Sequence, residues 1–218
     1  MKFSAVIFDL DGTLLDTLAD IAISANEVLR RIGAPEHPVE AYKTLVGDGV
    51  AVLFQRAWPA TLNDPLLLQR AIEGFHEIYA GQWNKRSKPY DGIENLLSRL
   101  TEHRMPLAVL SNKPDRFTRQ CVDHFLHPFI FSSVHGQKEG VPRKPDPAGV
   151  FNVARELAVR TEDIAYVGDT NTDMETAVAA GCCAIGVTWG FRAAEELRRC
   201  GAQEIVQTPG ELAELLLA

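Results

Sequence analysis

The chain reads as an α/β protein, a doubly wound, Rossmann-like parallel sheet carrying an inserted all-α cap domain. Three observations predict it. Short apolar runs at 5–8, 107–110, 129–134, 164–167 and 184–187 have the length and flanks of strands buried on both faces. Helical periodicities separate most of them, as right-handed βαβ units require. One long interval, from about residue 16 to residue 86, carries helical patterns and no convincing strand.

Taken in order, the first run, Ala5-Val6-Ile7-Phe8, ends abruptly in Asp9-Leu10-Asp11-Gly12-Thr13. The interval after it holds three apolar stripes: Ile21, Ala25, Val28, Leu29 and Ile32; Val50, Leu53, Phe54 and Ala57; Leu67, Ala71, Phe75 and Ile78. Gly33-Ala34-Pro35 and Trp58-Pro59 punctuate them as stop signals. A crossover between two parallel strands needs one helix, and at least three are written here, so residues 16–86 form a separate helical insert. Residues 1–15 and 87–218 then make up the sheet domain. The spacing Ile93, Leu96, Leu97, Leu100 predicts a helix before the second strand. Further helices fall at 117–125, 150–157 and 174–180, and a weak strand at 204–206 with a helix at 211–217 closes an edge.

Length agrees with this division, since 218 residues exceed one minimal domain and fall short of two full ones. At 46% hydrophobic and 23% charged, the chain is neither disordered nor a coiled coil. Twenty-nine acids against 22 bases give a net charge of −7, which argues against nucleic-acid or membrane partners, since both favour a basic face. No run reaches the roughly 18 apolar residues of a membrane span. The amino-terminal segment is too short and too acidic to read as a signal peptide. Cys121, Cys182, Cys183 and Cys200 show no metal or redox spacing. A cytoplasmic location is expected, with the chain acting as a monomer or homodimer.

Chemistry concentrates where strands end. Asp9 and Asp11, two residues apart at a sheet mouth, would repel each other unless a hard cation such as Mg²⁺ compensated. Gly12 permits a sharp turn there. The second strand ends in Ser111-Asn112-Lys113-Pro114, a polar cradle feeding a helix N-terminus. Lys144 lies in Pro142-Arg143-Lys144-Pro145-Asp146-Pro147, where flanking prolines restrict its volume. The fourth strand ends in Gly168-Asp169-Thr170-Asn171-Thr172-Asp173. Each motif alone is also explained as a turn, a helix cap or a solvated lysine. Four successive strand ends delivering Asp/Asp, Ser/Asn, Lys and Asp/Asp to one crevice are not. Such a set suits attack by a carboxylate on a phosphoryl group whose charge a metal and a lysine neutralise.

With these motifs in this order, the sequence resembles the phosphatase branch of the haloacid dehalogenase superfamily. Within it, Val46-Gly47-Asp48-Gly49, Ser111-Asn112-Lys113-Pro114, Lys144-Pro145-Asp146-Pro147, and the segments Ala180-Gly181-Cys182 and Thr188-Trp189-Gly190 are most similar to the phosphoglycolate phosphatase subfamily. The resemblance implies an activity, a Mg²⁺-dependent phosphomonoester hydrolase acting on a small phosphorylated metabolite such as 2-phosphoglycolate. It implies Asp9 as nucleophile and Asp11 as general acid and then base. It further implies Mg²⁺ held by Asp9, the Asp11 carbonyl and Asp169, with Asp173 just behind. Ser111, Asn112 and Lys144 would grip the phosphoryl group, Thr13 would support the loop, and residues 16–86 would be a cap bearing Gly47 and Gly49 near the substrate. Asp48 would disfavour an anionic substrate unless its side chain turned away. Lys43 or Arg56 is the expected reader of a substrate carboxylate.

Other readings differ at named residues. A dehalogenase or phosphonatase lacks the acid that stands here as Asp11. A β-phosphoglucomutase-like enzyme usually shows a His and Trp pattern where this chain has Leu18-Ala19-Asp20-Ile21-Ala22. Pyrophosphate, nucleotides and sugar phosphates remain alternative phosphatase substrates. A receiver-like phospho-acceptor module shares the clustered Asp, Ser and Lys, but lacks a helical insert and would not turn over.

Overall fold

The computed structural model of the protein describes residues 2–59 and 64–218. The chain divides into two compact units, Met1–Leu15 with Pro89–Ala218, and Asp16–Lys88.

In the first unit, strand β1 (Ala5–Phe8) is fully buried. After β2 (Leu15–Asp16) the chain enters the second unit, with helices α1 (Leu18–Arg31), α2 (Tyr42–Leu45), α3 (Val50–Ala57) and α4 (Pro65–Ala80). It returns through β3 (Lys88–Pro89), then α5 (Ile93–Glu102), β4 (Leu107–Pro114), α6 (Asp115–Phe125), β5 (Ser133–Gln137) and α7 (Ala148–Leu157). Strand β6 (Ile164–Gly168), α8 (Asn171–Ala180), β7 (Cys183–Val187), α9 (Ala194–Arg199), β8 (Glu204–Val206) and α10 (Pro209–Leu217) complete it.

Six strands form one sheet in the order β5-β4-β1-β6-β7-β8, and every pair is parallel. The order reverses beside β1, so the crevice of this doubly wound sheet opens at the carboxyl ends of β1, β4 and β6. Register makes this concrete. Phe8 lies opposite both Val109 and Val167. Asp9 therefore emerges level with Leu110 and Gly168, one residue ahead of Ser111 and Asp169. A core of Ile7, Leu110, Val150, Val153, Tyr166, Met174 and Leu197 holds that register. Each such buried aliphatic or aromatic side chain contributes roughly 1.5–3 kcal/mol.

One strand differs from its sequence reading. The apolar run at 129–134 shares only Ser133 and Val134 with the strand; β5 begins at Ser133 and continues through His135 and Gly136 to Gln137. Ile130 is instead 81% exposed, in a turn where Phe129 N–H donates to the Leu126 carbonyl. Strand β5 is an edge strand, so it does not need apolar residues on both faces. Its Gly136 packs against α6, where a Cβ would strike the Asp115 backbone.

In the second unit, α1 packs on α4 and α3 on α4. Phe75 stacks on Tyr79 at 5.2 Å and meets Phe54 edge-on at 6.1 Å. Its two ends are tied by a buried carboxylate. Asp20 Oδ2 accepts hydrogen bonds from Arg86 N–H at 2.9 Å, Ser87 N–H at 2.8 Å and the Ser87 hydroxyl at 2.8 Å. Arg86 lies 3.6 Å from its other oxygen. No helix among the described residues is long and apolar enough to cross a membrane.

Candidate active site

At the carboxyl end of β1 the backbone turns through Gly12, whose φ of +91° is open to glycine at little cost. Space demands glycine there as well, because a Cβ would collide with the Asp169 carboxylate. Gly190 and Gly168 meet the same requirement: a Cβ on Gly190 would strike Asp169 and the Gly12 carbonyl, and one on Gly168 would strike Asp173. Three glycines thus allow backbone and carboxylates to approach closely.

Asp9, Asp169 and Asp173 are all buried, and each offers a carboxylate oxygen within 4.8 Å of the others. Asp169 is oriented from both sides, by the Thr13 hydroxyl at 2.8 Å and the Phe191 N–H at 2.8 Å. Trp189 Nε1–H donates to the Thr13 carbonyl at 2.9 Å, fixing the loop that carries Thr13. Asp173 sits at the third residue of α8 and closes a capping box with Thr170, which holds its Oδ2. Its Oδ1 faces Lys144 Nζ at 2.6 Å. The same ammonium lies 2.9 Å from Asp9 Oδ1, an ionic contact that leaves this oxygen without an aligned hydrogen bond.

Charge in this cluster does not balance, with three carboxylates facing one ammonium. Burial pushes the Asp9 carboxyl up to about 7, against the pull of Lys144, while Asp173 and Asp11 push it further up. Burial, then Asp173 and Asp9, holds Asp169 well above the usual carboxylate range. Lys144 is the converse: burial alone would lower it, but Asp173 and Asp9 keep it well above its ordinary value. Burial of several carboxylates with a single ammonium raises them in this way, and a bound cation would offset that cost. The donor set, carboxylate oxygens with one not satisfied, fits a hard divalent cation. This buried acidic triad could therefore hold a metal ion.

Asp11 points elsewhere. Both of its oxygens are gripped by Lys113 Nζ, at 2.9 and 3.0 Å. The ammonium is buried, and the Asp11 side chain is 16% exposed. Lys113 stands in the sequence motif, but its type alone gave it no task. The signal was a lysine on the same strand end as Ser111 and Asn112, facing a crevice with two aspartates.

Ser111 Oγ accepts from the Lys113 N–H at 3.3 Å. Asn112, expected to grip the phosphoryl group, also ties down the Lys144 backbone. Its carbonyl accepts from Lys144 N–H at 2.9 Å and its amide donates to the Lys144 carbonyl at 3.1 Å. Asn112 thus pins the Lys144 backbone across 32 residues of sequence. Eight of the ten expected site residues, Asp9, Asp11, Thr13, Ser111, Asn112, Lys144, Asp169 and Asp173, gather at one end of the sheet.

Gly47 and Gly49 belong to the second unit, in the turn between α2 and α3, with φ of +118° and +87°. Both cations expected to read a carboxylate there have acidic neighbours: Lys43 lies 2.9 Å from Glu40, and Arg56 lies 2.5 Å from Asp48. The Arg56 contact neutralises the carboxylate that the sequence reading found unfavourable.

Comparison with known proteins agrees with this geometry. The family described as haloacid dehalogenase-like hydrolase matches residues 6–187. The phosphoglycolate phosphatase of Pseudomonas putida is 32% identical over 190 residues, covering 85% of this chain and 70% of the relative. That of Vibrio cholerae is 30% identical over 217 residues, covering 97% and 96%. A crystal structure from Lactobacillus delbrueckii subsp. bulgaricus, assigned by inference as a phosphoglycolate phosphatase, superposes with a TM-score of 0.91 at 32% identity over 99% of both chains.

Proposed function

The chain belongs to the haloacid dehalogenase-like hydrolases, and from that premise we propose that it is a Mg²⁺-dependent phosphomonoester hydrolase working through an aspartyl-phosphate on Asp9. The proposed substrate is a small phosphorylated metabolite, 2-phosphoglycolate first among them, as the names of its relatives suggest. The observation that carries the reading is the division of the strand-end carboxylates. Asp9 lies in a cluster short of positive charge, while Asp11, two residues on, is turned to a cation of its own.

Asp9 attacks phosphorus, and the bond to the ester oxygen breaks with its electron pair on that oxygen. Asp11 gives the leaving alkoxide a proton. Water then attacks the phosphoryl group, Asp11 takes the water's proton, and the bond from Asp9 to phosphorus breaks to release inorganic phosphate. Lys144, already beside Asp9, neutralises the incoming phosphoryl oxygens, with Ser111 adding a hydroxyl. A bound Mg²⁺, held by Asp9, the Asp11 carbonyl and Asp169 with Asp173 behind, would supply further neutralisation of those oxygens. Thr13 keeps Asp169 in place, and Asn112 keeps Lys144 in place. Residues 16–86 serve as the cap, with Gly47 and Gly49 in substrate recognition.

A phosphate-release screen over 2-phosphoglycolate, sugar phosphates, nucleotides and pyrophosphate, with Mg²⁺ and with chelator, tests this. Multiple turnovers on a monoester that stop on chelation are expected. A single stoichiometric phosphorylation, or release that ignores chelator, would sink the reading.

A further inference from the structure

Lys113 is fixed at both ends of its side chain. Leu110 pairs with His135 and Pro114 with Gln137, so four steps along β4 match two along β5. An irregularity of this kind re-aims the side chains within it. Pro114 keeps the Lys113 backbone extended. The Lys113 N–H donates to Ser111 Oγ at 3.3 Å, and the Lys113 carbonyl accepts from the buried Thr118 hydroxyl at 3.0 Å. At the other end the ammonium donates to both Asp11 oxygens, at 2.9 and 3.0 Å. A side chain that is ordinarily flexible is held at its root and at its tip.

Stability is a poor reason for this arrangement, because desolvating two charges offsets most of their attraction. Exposure suggests another. The Asp11 side chain is 16% exposed and that of Lys113 only 4%, so the carboxylate meets solvent where its ammonium does not. The proposed reaction asks Asp11 to move a proton twice, out to the leaving oxygen and then in from water. Each transfer needs donor and acceptor roughly 2.6–3.2 Å apart. A carboxylate has two oxygens, and the two transfers need only one of them. While the ammonium keeps the other, Asp11 can gain and lose its proton without leaving its place.

We infer that Lys113 is a positioning residue for these proton transfers: it anchors one Asp11 oxygen and leaves the second to serve the leaving alcohol and then the attacking water. This rests on the phosphatase reading and deepens it. It also separates the two buried lysines by task, since Lys144 lies at the phosphoryl end, between Asp9 and Asp173.

The test varies the leaving group's need for a proton. An alkoxide leaving 2-phosphoglycolate needs one, whereas the acetate leaving acetyl phosphate, a compound of similar size, does not. For both substrates kcat/KM reports the reaction through departure of that group. Lys113→Met, with a similar stem and no charge, should lower kcat/KM for 2-phosphoglycolate by about tenfold or more, part of the roughly hundred- to ten-thousandfold that a general acid supplies. For acetyl phosphate the loss should stay within about twofold. If Lys113→Met does not fold, the same ratio is read in Lys113→Gln, which keeps one donor. If another alkyl phosphate proves the better substrate in the release screen, it takes the place of 2-phosphoglycolate. Equal losses on the two substrates in a folded variant, or no loss on either, would overturn the inference alone and leave Lys113 with a structural role. Wild-type enzyme that hydrolyses neither compound, nor any other phosphomonoester, overturns the phosphatase reading beneath it.

Discussion

Two buried aspartate sites in this molecule are built on opposite principles. Asp20, in the helical unit, is one carboxylate with three hydrogen-bond donors on a single oxygen and Arg86 near the other. The strand-end cluster sets Asp9, Asp169 and Asp173 around the single ammonium of Lys144. The first carries its donors on one oxygen, with Oδ1 left without an aligned hydrogen bond, and its work is to join two segments some 66 residues apart. The second is buried with excess negative charge, and burial first, then the neighbouring carboxylates, raises Asp9 and Asp169. A buried acid with its donors present holds structure; buried acids without enough positive charge are poised to receive it. The contrast separates structural from reactive carboxylates where exposure alone does not, since Asp20, Asp169 and Asp173 are all fully buried.

Replacing one member of each site is the strongest way to break this contrast. Asp9→Asn should lower kcat by about a thousandfold or more, the scale for losing a nucleophile, while its melting temperature stays level or rises. Its shape is kept and a repelling charge is gone. A variant that kept activity, or unfolded, would end the distinction at its reactive end.

Asp20→Ala should show the reverse ordering. It strands the Arg86 and Ser87 amides in the interior, which costs about 2–4 kcal/mol. For a chain of this size that lowers the melting temperature by about 4–16 °C. Calorimetry showing no fall would mean that the tie between the ends of the helical unit carries little stability.

Proton competition sharpens the same comparison more gently. The ordinary aspartate value is 3.8, and in the folded, metal-free protein Asp9 rises to about 7. Between those values the folded state keeps a proton that the unfolded chain has lost. The contribution of Asp9 to stability is therefore full below 3.8 and is lost as pH rises through about 7. A divalent cation binds the ionised form, so the rise in melting temperature on adding Mg²⁺ should be larger at pH 8 than at pH 5. A shift that is equal or larger at pH 5 would contradict the assignment of the cluster as a metal site.

The smallest effect belongs to the exposed pair. Arg56 is 38% exposed where it meets Asp48, so Arg56→Ala should cost no more than about 0.5 kcal/mol in denaturant unfolding. A loss several times larger would show that this turn is held as firmly as the Asp20 tie.

Much of this was legible in the chain itself. The strand at 5–8, the helical stripes of 16–86 and the glycine and aspartate strand ends are periodic or local features, and periodicity reads burial directly. Lys113, Asp20 and the run at 129–134 were not legible. Lys113 and Asp20 depend on partners about 100 and 66 residues away, and no local pattern reports such a distance. The run at 129–134 looked like a buried strand because apolar residues there imitate one. Strand β5, at an edge of the sheet, needed polar Ser133, His135 and Gln137 instead.

By itself, then, the sequence determined the α/β class, the helical insert and the residue types at four strand ends, because each is written in neighbouring positions. Only the tertiary structure decided which carboxylate has which partner. It turned Asn112 toward the Lys144 backbone, placed Lys113 on Asp11, and left three aspartates with one ammonium. Charge balance is a sum over everything within a few ångströms, and sequence distance does not enter that sum.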